Sequence, residues 1–289
     1  MVLKGGIGFF DSGVGGLSIL HACRDVVRGL PIYYYGDNLH APYGNRPIYE
    51  TRAYVRDAFA YFAKMQVRAV VVACNTVTAL FIDELRREYA FPIIGIEPAV
   101  LPAVEQGDRV LVLATVATAG SERLRALVAR AKEKNPNAEI TVYGSRELAA
   151  VVENGFKRYE IDLSRYLPCG KYDCVVLGCT HYTFLKEKIG EYYAARVFDG
   201  NMGVANRLKG VLLAGVDDAK NVDFRAAALG KIRLLSNLPF YLREKGAKKV
   251  VFWRKNGKEN YRVKNATILY FIGDSRLKNR QFYERMFGF

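Results

Sequence analysis

The sequence predicts an α/β protein built as two similar parallel-sheet α/β domains facing each other across a cleft. Three observations carry this prediction. Short β-branched and Leu-rich runs alternate with amphipathic helical stretches through the first two hundred residues, the pattern of parallel strands covered by helices on both faces. The strand–loop–helix unit recurs in two blocks, one beginning at residue 7 and the other near residue 109. Two segments also repeat one another, "VVVACNTVTAL" and "DCVVLGCTHYTFL". Each has an apolar run, a small residue, a cysteine, two polar residues and a helix start, with Cys74 and Cys179 in matching places. A chain of 289 residues is long for one compact domain and comfortable for two.

In order, "GGIGFF" reads as the first strand, followed by a glycine-rich loop and the helical "GLSILHACRDVV". "PIYYYGD" reads as a strand entering a loop with "APYG". The amphipathic "IYETRAYVRDAFAYFAKM" precedes the strand "VRAVVVACN" and the helix "TALFIDELRREY", and "FPIIGIEPAV" carries a crossing point to the second block. There "DRVLVLAT", "AEITVYGS" and "YDCVVLGC" are strands, with "SERLRALVARAKEK" and "RELAAVVENG" as helices between them. The expected first domain is 1–97 plus 208–289, with a basic insertion at about 217–265, and the second is 98–207. Ligands of such sheets sit at the C-terminal strand ends, where the unusual polar residues of this chain collect.

Composition narrows the classes. No run of 18 apolar residues is free of charge, so no membrane span is expected. The start, "MVLKGGIGFFDSGVGG", reads as a strand and loop rather than a signal peptide, and a cytoplasmic location is expected. Five cysteines are too few and too irregular for a disulfide framework. With three histidines and no zinc spacing, no metal is expected. The net charge of +14 is uneven: residues 217–289 hold 17 Lys+Arg against 7 Asp+Glu, and the preceding 216 residues hold 26 against 22. That basic quarter contains two β-like runs around Asn256-Gly257, a hairpin signal, and Trp253 among lysines and arginines. An edge ribbon protected by lysines is the preferred reading; contact with nucleic acid or an acidic partner is the alternative.

The two repeated cysteines carry the chemistry. Each follows a buried strand and precedes a helix N-terminus, where unpaired amides and the helix dipole favour thiolate. Two such thiols in mirrored loops across one cleft suit the inversion of a carbon centre, one removing a proton from one face and the other returning a proton to the opposite face. Burial as small apolar groups is the plainer fate of a cysteine, and Cys23, Cys169 and Cys174 are read so. At Cys74 and Cys179 the adjoining Asn, Thr and His are costly to bury without partners. Asp11, at a strand end before Ser12 and "GVGG", repels phosphate and suits an ammonium group or the orienting of an acid or base; helix N-cap is its other reading. His181 is placed to keep Cys179 ionised or to assist proton transfer, or it is a satisfied polar residue at a helix start. Glu153 taken alone is an ordinary surface glutamate.

With these segments in hand, "FFDSGVGGLSIL", "YYYGDNLHAPYGNR", "VVVACNTVTAL" and "VVLGCTHYTFL" resemble the four signature segments of the glutamate racemase family, the cofactor-independent aspartate/glutamate racemases. The resemblance runs from residue 7 to about 216 and resumes at "ILYFIGDSRLKNRQFYERMFGF". It implies interconversion of L- and D-glutamate without a cofactor, as a supply of D-glutamate for peptidoglycan. It implies that Cys74 acts on the α-hydrogen of the D-isomer and Cys179 on that of the L-isomer, with Asp11, His181 and Glu153 assisting. It implies that Asp11, Ser12, Tyr43, Gly44, Asn75, Thr76, Thr118, Thr180 and His181 bind the substrate. Asp37 lies in a signature segment and receives no role. Thr183 stands where the family usually has proline, and Ser145-Arg146 replaces the more usual Cys-Pro. A homodimer is expected, and gyrase or nucleic-acid contact through the basic insertion is a second role left open. The runner-up activities are racemisation of another acidic amino acid such as aspartate, and a binding protein with reduced catalysis.

Overall fold

A computed structural model describes residues 5–27, 30–155, 161–214, 232–233 and 268–272 of the chain. The apolar run at the start forms β1 (Ile7–Asp11), buried along its whole length. It is followed by α1 (Leu17–Cys23), β2 (Ile32–Asp37), α2 (Ile48–Lys64), β3 (Ala69–Val72), α3 (Asn75–Glu88) and β4 (Ile93–Gly95). These strands are parallel and ordered β2-β1-β3-β4. The short α4 (Val100–Val104) leads into the second block: β5 (Arg109–Thr115), α5 (Val116–Ala119), α6 (Glu122–Lys134), β6 (Glu139–Ser145), α7 (Leu148–Gly155), β7 (Cys174–Gly178), α8 (Lys186–Tyr193) and β8 (Arg196–Asp199). Its parallel sheet has the order β6-β5-β7-β8. Counted within each block, both sheets run 2-1-3-4, so the repeat seen in the sequence is a repeat of topology.

α9 (Asn201–Ala214) then lies against α1, with Val204, Ala205 and Leu208 joining the first core. The backbone of β9 (Ile232–Arg233) and β10 (Ile268–Ile272) extends the first sheet beyond β2, so that it reads β10-β9-β2-β1-β3-β4. The rest of the basic stretch at 217–265, including Trp253 and Asn256-Gly257, lies outside the described residues. Among the described residues no helix is long and apolar enough to cross a membrane.

Each sheet is packed on both faces, which explains why its strands are continuously apolar rather than alternating. In β3, Ala69 and Val71 face the core that contains α1 and α9, while Val70 and Val72 face the aromatic core of α2 and α3. In β5, Leu111 and Leu113 face one side, and Val110 and Val112 the other. Side chains alternate with period two, so a strand end fixes which residue emerges into the loop above the sheet. That rule sets the positions of Asp11, Cys74, Thr115 and Cys179.

Candidate active site

In a sheet ordered 2-1-3-4 the connections leave strands 1 and 3 in opposite directions, and a crevice opens between their carboxyl ends. Asp11 ends β1 and Cys74 follows β3; Thr115 ends β5 and Cys179 follows β7. The two crevices meet, and hydrogen bonds cross between the sheets at both. Thr180 Oγ1 donates to Asp11 Oδ1 at 3.2 Å. Thr76 Oγ1 lies 3.0 Å from Thr115 Oγ1 and 3.4 Å from Thr118 Oγ1, which are themselves 3.0 Å apart.

Close backbone approach makes these crossings possible. A Cβ on Gly13 would stand 2.6 Å from Glu153 Oε2, and one on Gly15 would overlap Thr180 Oγ1. The glycine-rich loop is therefore a contact surface between the sheets. On the other side, a Cβ on Gly44 would stand 2.5 Å from the Cβ of Thr115.

Cys74 is the N-cap of α3 and is buried. The Val77 N–H and the hydroxyl of Ser12, 3.6 Å from its sulfur, both favour thiolate. Burial and, next, the charge of Asp11 outweigh them and push the thiol up to about 12. The helix N-terminus, expected to favour thiolate, is thus outweighed, because desolvation is the larger effect. The charge of Cys179 also raises it, which places the two sulfurs within electrostatic reach of one another.

Cys179 caps a single 3₁₀ stretch, Thr180–Leu185, that precedes α8, where an α-helix start was expected. Its Sγ lies 3.7 Å from His181 Nδ1, and His181 Nε2 lies 2.6 Å from Glu153 Oε2. Burial by itself would lower the pKa of His181; the hydrogen bonds to Cys179 and Glu153 win and hold it well above 6.5. The shift favours the imidazolium, the form that donates through both nitrogens. Glu153, read from sequence as ordinary unless the resemblance held, has a side chain only 9% exposed and accepts from Asn38 Nδ2 at 2.7 Å and from the Val14 N–H at 3.4 Å.

Asp11 is fully buried and accepts from the Gly13 N–H at 3.0 Å. Gly16, not Asp11, is the N-cap of α1. Burial raises the Asp11 carboxyl to about 6 against the pull of His181 and of the Gly13 and Gly16 amides. Asn75 is buried, and neither Nδ2 nor Oδ1 of its amide has a hydrogen-bond partner, the condition of a side chain that awaits a ligand. Tyr43 is held by its hydroxyl, which donates to Asp37 Oδ2 at 2.5 Å; His40 Nδ1 stands 2.8 Å from the same carboxylate and stacks on Tyr54.

Asp11, Ser12, Tyr43, Gly44, Asn75, Thr76, Thr118, Thr180, His181, Glu153 and both cysteines thus gather around the meeting strand ends. Three neighbours had no assignment from sequence. Asp37 fixes the Tyr43 loop, Thr115 completes the threonine cluster, and Asn38 holds Glu153. Asp37 and Thr115 could have been found from their strand-end positions; Asn38 gave no such signal.

Comparison with known proteins follows the same segments. The Asp/Glu/hydantoin racemase family matches residues 17–207. A glutamate racemase of Clostridium botulinum (strain Kyoto / Type A2) is 38% identical over 214 residues, 70% of this chain and 82% of that protein. Glutamate racemase 2 of Bacillus subtilis (strain 168) is 36% identical over 219 residues, 71% of this chain and 81% of the relative. The crystal structure of Escherichia coli glutamate racemase in complex with L-glutamate and the activator UDP-MurNAc-ala superposes with a TM-score of 0.64 at 27% identity, covering 78% of this chain and 88% of that one.

Proposed function

The chain belongs to the Asp/Glu/hydantoin racemase family, and from that premise we propose that it interconverts L- and D-glutamate by proton transfer between Cys74 and Cys179 on opposite faces of the α-carbon. It is an isomerase, and the D-glutamate it forms serves peptidoglycan synthesis. The observation that carries the two-thiol reading is positional. The cysteines follow equivalent strands of two sheets with the same order, and the loops that bear them are hydrogen-bonded across the same site.

Substrate chemistry fits the charges around the site. The ammonium group of glutamate stands against the buried Asp11 carboxylate. Doing so cancels the charge that, after burial, most disfavours a thiolate at Cys74, so the substrate itself helps to make Cys74 a base. The α-proton of an amino acid is weakly acidic, and the carbanion-like transition state needs support for charge spreading into the carboxylate. The free amide of Asn75, the hydroxyls of Thr76, Thr118 and Thr180, and the amides at the start of α3 supply donors for it. On the other face, His181 meets negative charge on Cys179 with an imidazolium. Cys74 and Cys179 are 4% and 5% exposed, so the sheets must part to admit substrate, and their closure excludes water from the transfer. Running backwards, the sulfurs exchange the roles of acid and base.

The optical activity of pure L-glutamate should decay to zero on incubation with the protein without added cofactor. In D₂O, early product should carry solvent deuterium at Cα while recovered substrate does not; deuterium entering substrate and product equally would rule out two bases. Aspartate racemisation is the runner-up, decided by kcat/KM for the two amino acids. A cytoplasmic location and a homodimer belong to the same proposal, the latter tested by light scattering in solution. A second role in binding nucleic acid or gyrase is tested by salt-sensitive DNA binding that disappears on deletion of residues 217–265.

A further inference from the structure

The hydrogen-bond chain on the Cys179 side continues past Glu153 and leaves the second sheet. Glu153 is carried by α7 and faces His181 with Oε2. Its other oxygen, Oε1, accepts from Asn38 Nδ2 at 2.7 Å. Asn38 directly follows β2 and belongs to the first sheet. The Val14 N–H, also from the first sheet, approaches Oε2 at 3.4 Å. Asn38 Oδ1 is buried with no hydrogen-bond partner, so the described bond of this amide is the one it gives to Glu153. An amide that served only to tie down its own loop would be expected to satisfy its carbonyl locally.

We propose that Asn38 is a positioning residue for the Cys179 half of the reaction: by gripping Glu153 from the opposite sheet, it sets His181 against Cys179 when the two sheets close. The inference rests on the two-thiol reading above. Cys74 needs no such long chain, because Asp11 and Ser12 come from its own sheet. Cys179 draws its support from His181 beside it, from Glu153 on a separate helix, and finally from Asn38 on the other sheet. Asp11 also interacts with His181 and Glu153, so a carboxylate at position 38 would be the third in a site that already holds two.

The test must respect one constraint. L- and D-glutamate are enantiomers with an equilibrium constant of one, so any substitution changes kcat/KM equally in both directions. A role tied to one thiol is visible instead in the primary isotope effects with α-deuterated L- and D-glutamate. Asn38→Ala, and the isosteric Asn38→Asp as a second variant that preserves shape, should lower kcat/KM about ten- to a hundredfold, the range for a lost hydrogen bond to a charged group. The isotope effect on kcat/KM should rise with deuterated L-glutamate, whose deuterium Cys179 removes, and fall with deuterated D-glutamate. A variant with an unchanged melting temperature that keeps kcat/KM within about twofold of the parent overturns the proposal. So does an isotope effect that moves in the same sense with both substrates. If the parent protein itself fails to racemise glutamate, the underlying functional reading has failed instead.

Discussion

Cys74 and Cys179 occupy the same place in two sheets of the same order, yet their surroundings differ in sign. Near Cys74 stand the hydroxyl of Ser12 and the carboxylate of Asp11. Near Cys179 stands an imidazole backed by Glu153, with its protonated form favoured. The topology is symmetric and the electrostatics are not. A reaction between enantiomers has no thermodynamic preference for either face, but the substrate is not symmetric: it presents an ammonium group on one side and a carboxylate on another. The asymmetry of charge answers that of the ligand. In the proposed reaction Cys74 relies on the arriving ammonium to offset Asp11, whereas Cys179 has the imidazole of His181 beside it.

The sharpest way to break the comparison is to remove either sulfur. Cys74→Ala and Cys179→Ala should each lower racemisation by at least about a thousandfold, since each deletes one acid/base group outright. Polarimetry on both variants checks this, and near-parental racemisation by either one would mean that its sulfur is dispensable. A smaller substitution separates the two sides. Asp11→Asn and His181→Gln should each cost roughly ten- to a thousandfold but move isotope effects oppositely, His181→Gln raising that of deuterated L-glutamate and Asp11→Asn that of deuterated D-glutamate.

Stability should expose the same difference without substrate. A carboxyl held at about 6 rather than 3.8 costs the folded protein about 3 kcal/mol once ionised. The cost appears as pH rises from below 4 to above 6. Asp11→Asn should therefore raise the melting temperature at pH 7 and leave it little changed at pH 3.5. At His181 the slope with pH is the same, but the shift marks a benefit of the charged form rather than a cost. Its folded pKa is raised, so its stabilising effect is full below pH 6.5 and fades as pH climbs through the folded value. His181→Gln should thus destabilise most in mildly acidic solution. Melting curves across pH on the two variants check this: relative to the parent, both should gain as pH rises, Asp11→Asn from equality toward greater stability and His181→Gln from a deficit toward equality, and a difference that falls with rising pH would refute the assigned charge. The least effect belongs to Thr115→Ala, which removes one hydroxyl from a three-threonine cluster; about 1 kcal/mol is expected, read as a several-fold rise in KM for glutamate.

Much of this site was legible in the chain. The two cysteine loops announced themselves by repetition, and strand-end polar residues such as Asp11, Asn75 and Thr180 stood out because apolar strands precede them. Other features were hidden. Helix-terminus reasoning predicted a thiolate at Cys74, but desolvation pushes the thiol to about 12. Glu153 lies on an amphipathic helix whose pattern says nothing of what its polar face meets. Asn38 sits in a loop of polar residues and matters through a partner 115 positions away.

The sequence by itself determined the alternation of strands and helices, the two blocks and the register of each strand-end residue, because hydrophobic periodicity and side-chain alternation are local. Only the tertiary structure decided which loops meet, how deeply each ionisable group is buried, and which charge neighbours which sulfur. Those depend on desolvation and on distances of a few ångströms between sheets, and neither is written in the order of residues along either one.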